Sequence, residues 1–156
     1  DDPVFTPAGN IPDRIRDYCR KTNQDVPRNE AEIVRCINES LAFKYRIALE
    51  EIEDCTDKKY SKLYMLGGGT QSRLLSQMTA NACNIKVYGG PIEATVLGNI
   101  AIQLIASGNI KDLKEARRII NDSHNIDEYI PKESKLWDKE FSRFKKIIKK
   151  GELIKC

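Results

Sequence analysis

The sequence is poor in the residues that most often build an active site on their own. It holds one histidine, His124, inside a polar Ser-His-Asn stretch. A surface loop residue is the plainest reading there, and no glycine-framed serine stands near it for a Ser-His-Asp arrangement. The five cysteines are Cys19, Cys36, Cys55, Cys83 and Cys156. Their number is odd and no two lie at metal-ligand spacing, which argues against a zinc site and against a secreted disulfide framework. Cys19 and Cys36 fall on what read as consecutive helices and are the one pair that could meet; two buried thiols in a reducing compartment is the plainer alternative. No apolar run approaches the roughly 18–20 residues that span a bilayer. The 26 basic and 23 acidic residues leave a net charge of only +3, with no basic footprint for nucleic acid. Asp1 and Asp2 carry the wrong sign for the start of a signal peptide. The expectation is a cytoplasmic protein with neither a membrane nor a nucleic-acid partner.

What is present suits one modest domain: 156 residues, 40% hydrophobic and 31% charged, enough to bury a core. Residues 1–12 hold three prolines and Gly9 and read as irregular. A short helix is expected over 13–21. Asn29 followed by Glu32 makes a capping-box-like start for a long helix, with Ile33, Ile37, Leu41, Tyr45, Leu49 and Ile52 recurring as one apolar face. The short apolar run Leu63–Leu66 reads as a buried strand, the stretch from Arg73 as a helix, and 85–88 as a second strand. Pro91 suits the first position of a helix that runs to about Ser107, with Gly108 just past its end. Asp112 with Glu115 caps another helix. The tail 131–156 is basic, and Trp137, Phe141, Phe144 and Ile148 recur at helical spacing within it. Either it packs that stripe on the domain with its lysines in water, or it binds an acidic partner or a membrane. Alternation of helix and strand implies an α/β fold with parallel strands and crossover helices. Two strands make a meagre sheet, so the chain reads as a piece of a larger domain.

Two segments could carry chemistry. Leu66-Gly67-Gly68-Gly69-Thr70-Gln71 sits between a strand and a helix. Glycines there permit positive φ and let a ligand approach bare backbone, and N–H groups near a helix N-terminus attract a phosphate. A tight turn with no ligand uses the same residues. No Gly-Lys-Ser/Thr follows, so it is not a P-loop, and Ser72 breaks the dinucleotide pattern. The second segment is Gly89-Gly90-Pro91-Ile92-Glu93-Ala94-Thr95 followed by Gly98-Asn99. A glycine inside a helix costs about 1 kcal/mol against alanine, so Gly98 should answer to close packing or to a ligand.

The run from Met65 through Gly67-Gly68-Gly69-Thr70-Gln71-Ser72 to Ala82 resembles the GGG-x-Q-N-x-L-L-N-Q-x-x-A-D-A segment of the FGGY carbohydrate kinases. Gly90-Pro91-Ile92-Glu93-Ala94 through Gly98-Asn99 is similar to their G-P-x-E-A-x-x-x-G-N segment. Upstream, Gly9 to Gln24 and Arg35-Cys36-Ile37 to Tyr45 resemble the rhamnulokinase branch of that family. The resemblance covers about residues 5–130 and implies a division into 1–130, part of the family's C-terminal domain, and the tail 131–156. It implies the actin-like, ribonuclease-H-like ATPase fold. Gly68 first, with Gly67, Gly69 and Ser72, would contact ATP; the cofactors would be ATP and Mg²⁺. The reaction implied is transfer of the γ-phosphoryl group to L-rhamnulose. The catalytic aspartate and most of the sugar pocket would belong to an N-terminal domain preceding this chain, which alone would be inactive. Fuculokinase, xylulokinase and a non-catalytic actin-like module are the alternatives. The chain departs from the motif at Ser72, Ser76 and Asn81, where Asn, Asn and Asp are usual; all three changes lie in side chains.

Overall fold

The protein is described by a computed structural model covering residues 2–153; Cys156 lies outside it. Helix α1 (Ile11–Lys21) starts at Asn10, whose side chain accepts the Asp13 N–H. Helix α2 (Glu30–Thr56) starts at Asn29, which accepts the Glu32 N–H at 2.9 Å, while the Glu32 carboxylate reaches back to the Arg28 N–H at 2.6 Å. These reciprocal bonds satisfy donors that a helix start leaves open. Strand β1 (Lys62–Met65), helix α3 (Arg73–Cys83) and strand β2 (Lys86–Gly89) follow as one strand-helix-strand unit, with the strands parallel and Leu63 opposite Val87.

A third strand, β3 (Asp127–Tyr129), pairs antiparallel with β2, setting Tyr129 opposite Val87. Only the parallel pair is visible in the sequence pattern; the sheet is mixed, in the order β1-β2-β3. One face, carrying Leu63, Met65, Val87 and Tyr129, packs on Leu75 and Ala80 of α3. The other face is open. Tyr64 and Tyr88 stack there at 5.3 Å, and Glu128 accepts from Lys86 at 2.8 Å and from the Tyr88 hydroxyl at 2.9 Å. Lys86, then Tyr88, hold the Glu128 carboxyl below the usual carboxylate range.

Helix α4 (Ala94–Ala106) begins three residues after Pro91, so the proline lies in the preceding turn and not at the first helical position. Gly108, at φ +76°, ends α4, and α5 (Leu113–Ser123) starts at Asp112, which accepts the Glu115 N–H at 2.9 Å. The pair closes on Ala101, Ile110 and Ala116.

Helix α2 departs from the single apolar face expected. Residues four apart advance about 40° around a helix, so a stripe from Ile33 to Ile52 winds out of any one plane. Ile33 packs on Ile15 and Cys19 of α1, while Ala42 and Phe43 meet Met78 and Ala82 of α3. Ile37, Leu41, Tyr45 and Ile52 face outward.

Helix α6 (Ser134–Leu153) lays Trp137, Phe141 and Phe144 on Phe43, with ring centroids 5.1–5.7 Å apart. The Arg46 guanidinium sits 4.1 Å over the Phe141 ring and also bonds the Ala82 carbonyl and Asp138. The aromatic stripe is thus spent on packing, and Lys135, Lys139, Lys146 and Lys149 face water. Among the described residues no helix is long and apolar enough to cross a membrane.

Phe43→Ala should destabilise the protein by about 3–5 kcal/mol, read as a lower midpoint of chemical denaturation. Cys19, Cys36, Cys55 and Cys83 are free thiols. Burial pushes Cys83 up to about 12 and, with the neighbouring Cys36, Cys19 up to about 11. At pH 8 on the order of one Cys19 thiol in a thousand is then ionised. Iodoacetamide at pH 8 should therefore alkylate the exposed Cys55 well ahead of Cys19 and Cys83. The gap should narrow as pH rises toward 11, because raised pKa values withhold thiolate until then.

Candidate nucleotide-binding site

The site begins where β1 and β2 end, side by side and parallel. Ligands of open α/β sheets bind outside the carboxyl ends of such strands. Two glycine loops leave these ends and are stitched together: the Gly67 N–H donates to the Pro91 carbonyl at 3.3 Å, and the Gly90 N–H to the Met65 carbonyl at 2.9 Å. A Cβ on Gly90 would lie 2.5 Å from Leu66 Cδ2 and 3.4 Å from the Met65 carbonyl oxygen. Leu66 is 60% exposed and the end of its side chain can turn aside, so glycine at 90 eases the approach of the loops without being required by it.

The three glycines after β1 are not equivalent. Gly67 has φ +81° and ψ −167°, a region essentially closed to residues with a side chain. Its carbonyl accepts both the Thr70 N–H at 3.1 Å and the Thr70 hydroxyl at 2.7 Å, closing a 3-10 turn over Gly68–Gln71. Gly68 and Gly69 lack positive φ, and a Cβ on either would meet nothing within 4 Å. As the first residues of a 3-10 turn, their N–H groups have no acceptor inside it.

Ser72 ends the turn and starts α3, its Oγ accepting the Leu75 N–H at 3.3 Å. Its oxygen is thus engaged in capping. The structure brings all four expected residues, Gly67, Gly68, Gly69 and Ser72, into one continuous turn at the α3 N-terminus. Glu93 stands at the N-cap of α4 without a side-chain capping bond. Gly98 faces open space, so packing among the described residues does not account for it. The sequence places Gly90, Pro91 and Thr70 in segments that could carry chemistry but gives none of them a ligand contact; the adjacent Gly-Gly-Pro was the signal that a second loop meets the first. Among the described residues no cluster of His, Cys, Asp or Glu could hold a metal ion.

Known proteins resemble this chain along most of its length. Residues 1–107 match the model of the FGGY family of carbohydrate kinases, C-terminal domain. The chain belongs to that family. It is 39% identical over 149 residues to a rhamnulokinase of Bacteroides thetaiotaomicron, covering 96% of this chain and 31% of that protein. It is 40% identical over 132 residues to a rhamnulokinase of Bacillus subtilis (85% of this chain, 27% of that protein). With a rhamnulokinase of Enterococcus faecalis it shares 41% over 130 residues (82% and 26%). The chain thus spans less than a third of the length of these relatives. The α/β architecture and the FGGY resemblance read from the motifs both hold.

Gly67→Ala should cost about 1–3 kcal/mol of stability because alanine must adopt the closed backbone region. Gly68→Ala should leave the melting temperature nearly unchanged. Equal losses at the two positions would show that the turn is built differently.

Proposed function

We propose that this chain is the nucleotide-binding side of an ATP-dependent sugar kinase that phosphorylates L-rhamnulose to L-rhamnulose 1-phosphate. One observation carries the nucleotide reading. Gly68 and Gly69 have backbone angles open to any residue and free space where a side chain would go, so the fold itself does not call for glycine there. A ligand lying against the bare backbone does. The N–H groups of the turn, at the start of an eleven-residue helix, suit a phosphate. ATP, bound with Mg²⁺, would supply the γ-phosphoryl group. Gly67 would set the turn, Gly68 and Gly69 would present N–H groups, and Ser72 would hold the α3 N-terminus toward the nucleotide.

The sugar assignment rests on relatives named rhamnulokinase at about 40% identity over 82% or more of the chain. The residues that take the sugar's hydroxyl proton belong, in this proposal, to an N-terminal domain preceding the chain, which makes the piece alone inactive. Residues 1–130 would then be the partial kinase domain and 131–156 a tail that braces it. The protein would work in the cytoplasm, where ATP and sugar meet.

The test is phosphoryl transfer by the full-length protein, with L-rhamnulose, L-fuculose and D-xylulose compared, beside a Gly68→Val variant. L-rhamnulose should be preferred. The variant should melt like the parent yet raise the KM for ATP at least about tenfold, a loss of about 1.4 kcal/mol, or abolish turnover. Turnover with another sugar alone would keep the kinase and discard the rhamnulose assignment. No turnover with any of the three would favour a non-catalytic actin-like module.

A further inference from the structure

Helix α3 carries one polar line, and the chain leaving β3 is fastened along it. Gln77, Asn81 and Asn84 stand four and three residues apart, the spacing that brings side chains to one side of a helix. They meet alternate residues of the later segment. The Gln77 amide donates to the Ile130 carbonyl at 2.8 Å, Asn81 Oδ1 accepts the Lys132 N–H at 2.9 Å, and Asn84 Oδ1 accepts the Ser134 hydroxyl at 2.6 Å. Gln77 Nε2 also donates to Asn81 Oδ1 at 2.8 Å, so both of its hydrogens are engaged. Asn81 is the centre of the row and only 8% exposed, and two donors converge on its one oxygen. Strand β3 pairs with β2, and β2 follows α3 in the chain. The row therefore closes a ring of α3, β2 and β3.

We infer that Asn81 is a positioning residue for the nucleotide turn, fixing through α3 where the N–H groups of Gly68 and Gly69 stand. The inference rests on the reading of that turn as the ATP site. Apolar contacts hold α3 against the sheet and α2, but such contacts have no direction of their own. Hydrogen bonds do. A row of them facing one segment sets how far α3 lies along its axis and how it is turned about it. Asn81 lies eight residues beyond Arg73, where α3 starts, or about 12 Å at 1.5 Å per residue. The helix between them moves as one rigid body, so a shift at Asn81 reaches the turn. Misplacing a reacting group by about 1 Å can cost on the order of a hundredfold in rate. Asn81 Oδ1 is filled by its two donors, so its influence on the nucleotide runs through α3. The position asks for one acceptor oxygen, which the aspartate usual in the family motif also supplies.

The test uses the full-length protein, with ATP affinity measured by calorimetry and steady-state constants by phosphoryl transfer. Asn81→Leu removes the acceptor and should raise both the Kd and the KM for ATP about tenfold. The KM for L-rhamnulose at saturating ATP should stay at the parent's value. A partly unfolded sample lowers kcat and leaves both KM values alone, so this split separates a shifted turn from a damaged fold. Asn81→Asp keeps an acceptor for both donors and should bind ATP within about twofold of the parent. Gln77→Met, at a half-buried position, loses two bonds and should raise the same ATP constants, which decides the matter should Asn81→Leu fail to fold. Parental ATP affinity in Asn81→Leu and Gln77→Met would overturn the inference. So would an Asn81→Asp protein as impaired as Asn81→Leu. If the parent binds ATP but phosphorylates no sugar, the kinase reading falls and the Kd comparison still decides the role of Asn81. A parent that binds no ATP would sink the nucleotide reading, and the positioning role with it.

Discussion

The burial of α3 is the constraint on which the rest of the structure depends. From Leu75 to Cys83 every residue but Gln77 is buried. The helix is gripped from two sides: Leu75 and Ala80 meet the sheet, and Met78 and Ala82 meet α2 and α6. Ala80 and Ala82 have no exposed surface, so their neighbours come as close as a methyl group allows, and a larger residue would force them apart. Because α3 cannot shift, the turn that precedes it cannot shift either. A loop with open backbone N–H groups becomes a defined site only when its flanking elements are fixed in this way.

The same helix explains the three departures from the family motif. Ser72 serves as the α3 cap, a role to which serine is well suited. Asn81 accepts from the Lys132 N–H at 2.9 Å and from Gln77 Nε2 at 2.8 Å, and Gln77 also reaches the Ile130 carbonyl. This pair hooks the segment between β3 and α6 onto α3, so the Asn81 side-chain oxygen is engaged in holding the start of the tail. Ser76 is wholly buried, with no hydrogen-bond partner for its Oγ among the described residues. Its small volume suits a position with no exposed surface, where asparagine would bring more atoms and two polar groups in place of one.

Most elements were legible because local physics sets them. Asn29 with Glu32 and Asp112 with Glu115 mark helix starts through side chains that bond backbone within three residues, and nothing distant is needed to read them. The two parallel strands announce themselves as a short apolar run and an alternating stretch, each followed by glycines. Strand β3 does not. It is three residues long, reads Asp-Glu-Tyr, and lies at the sheet edge, where only Tyr129 turns inward. Its pairing with β2 comes from tertiary contact and leaves no period in the sequence. Pro91 misleads for a related reason. Its carbonyl is held by the Gly67 N–H, so the chain stays in a turn there and begins α4 only at Ala94.

The site was legible as a segment and illegible in its division of labour. Three consecutive glycines look alike in a sequence, yet only Gly67 has a left-handed φ. That one is explained by the fold. The other two, and Gly98 on α4, meet no contact among the described residues that calls for glycine. A glycine that the fold does not need is informative because it weakens its own element, by about 1 kcal/mol within a helix. The open positions at Gly68, Gly69 and Gly98 share one logic. In the proposed reading each is a position whose residue choice answers to a ligand that must come near backbone.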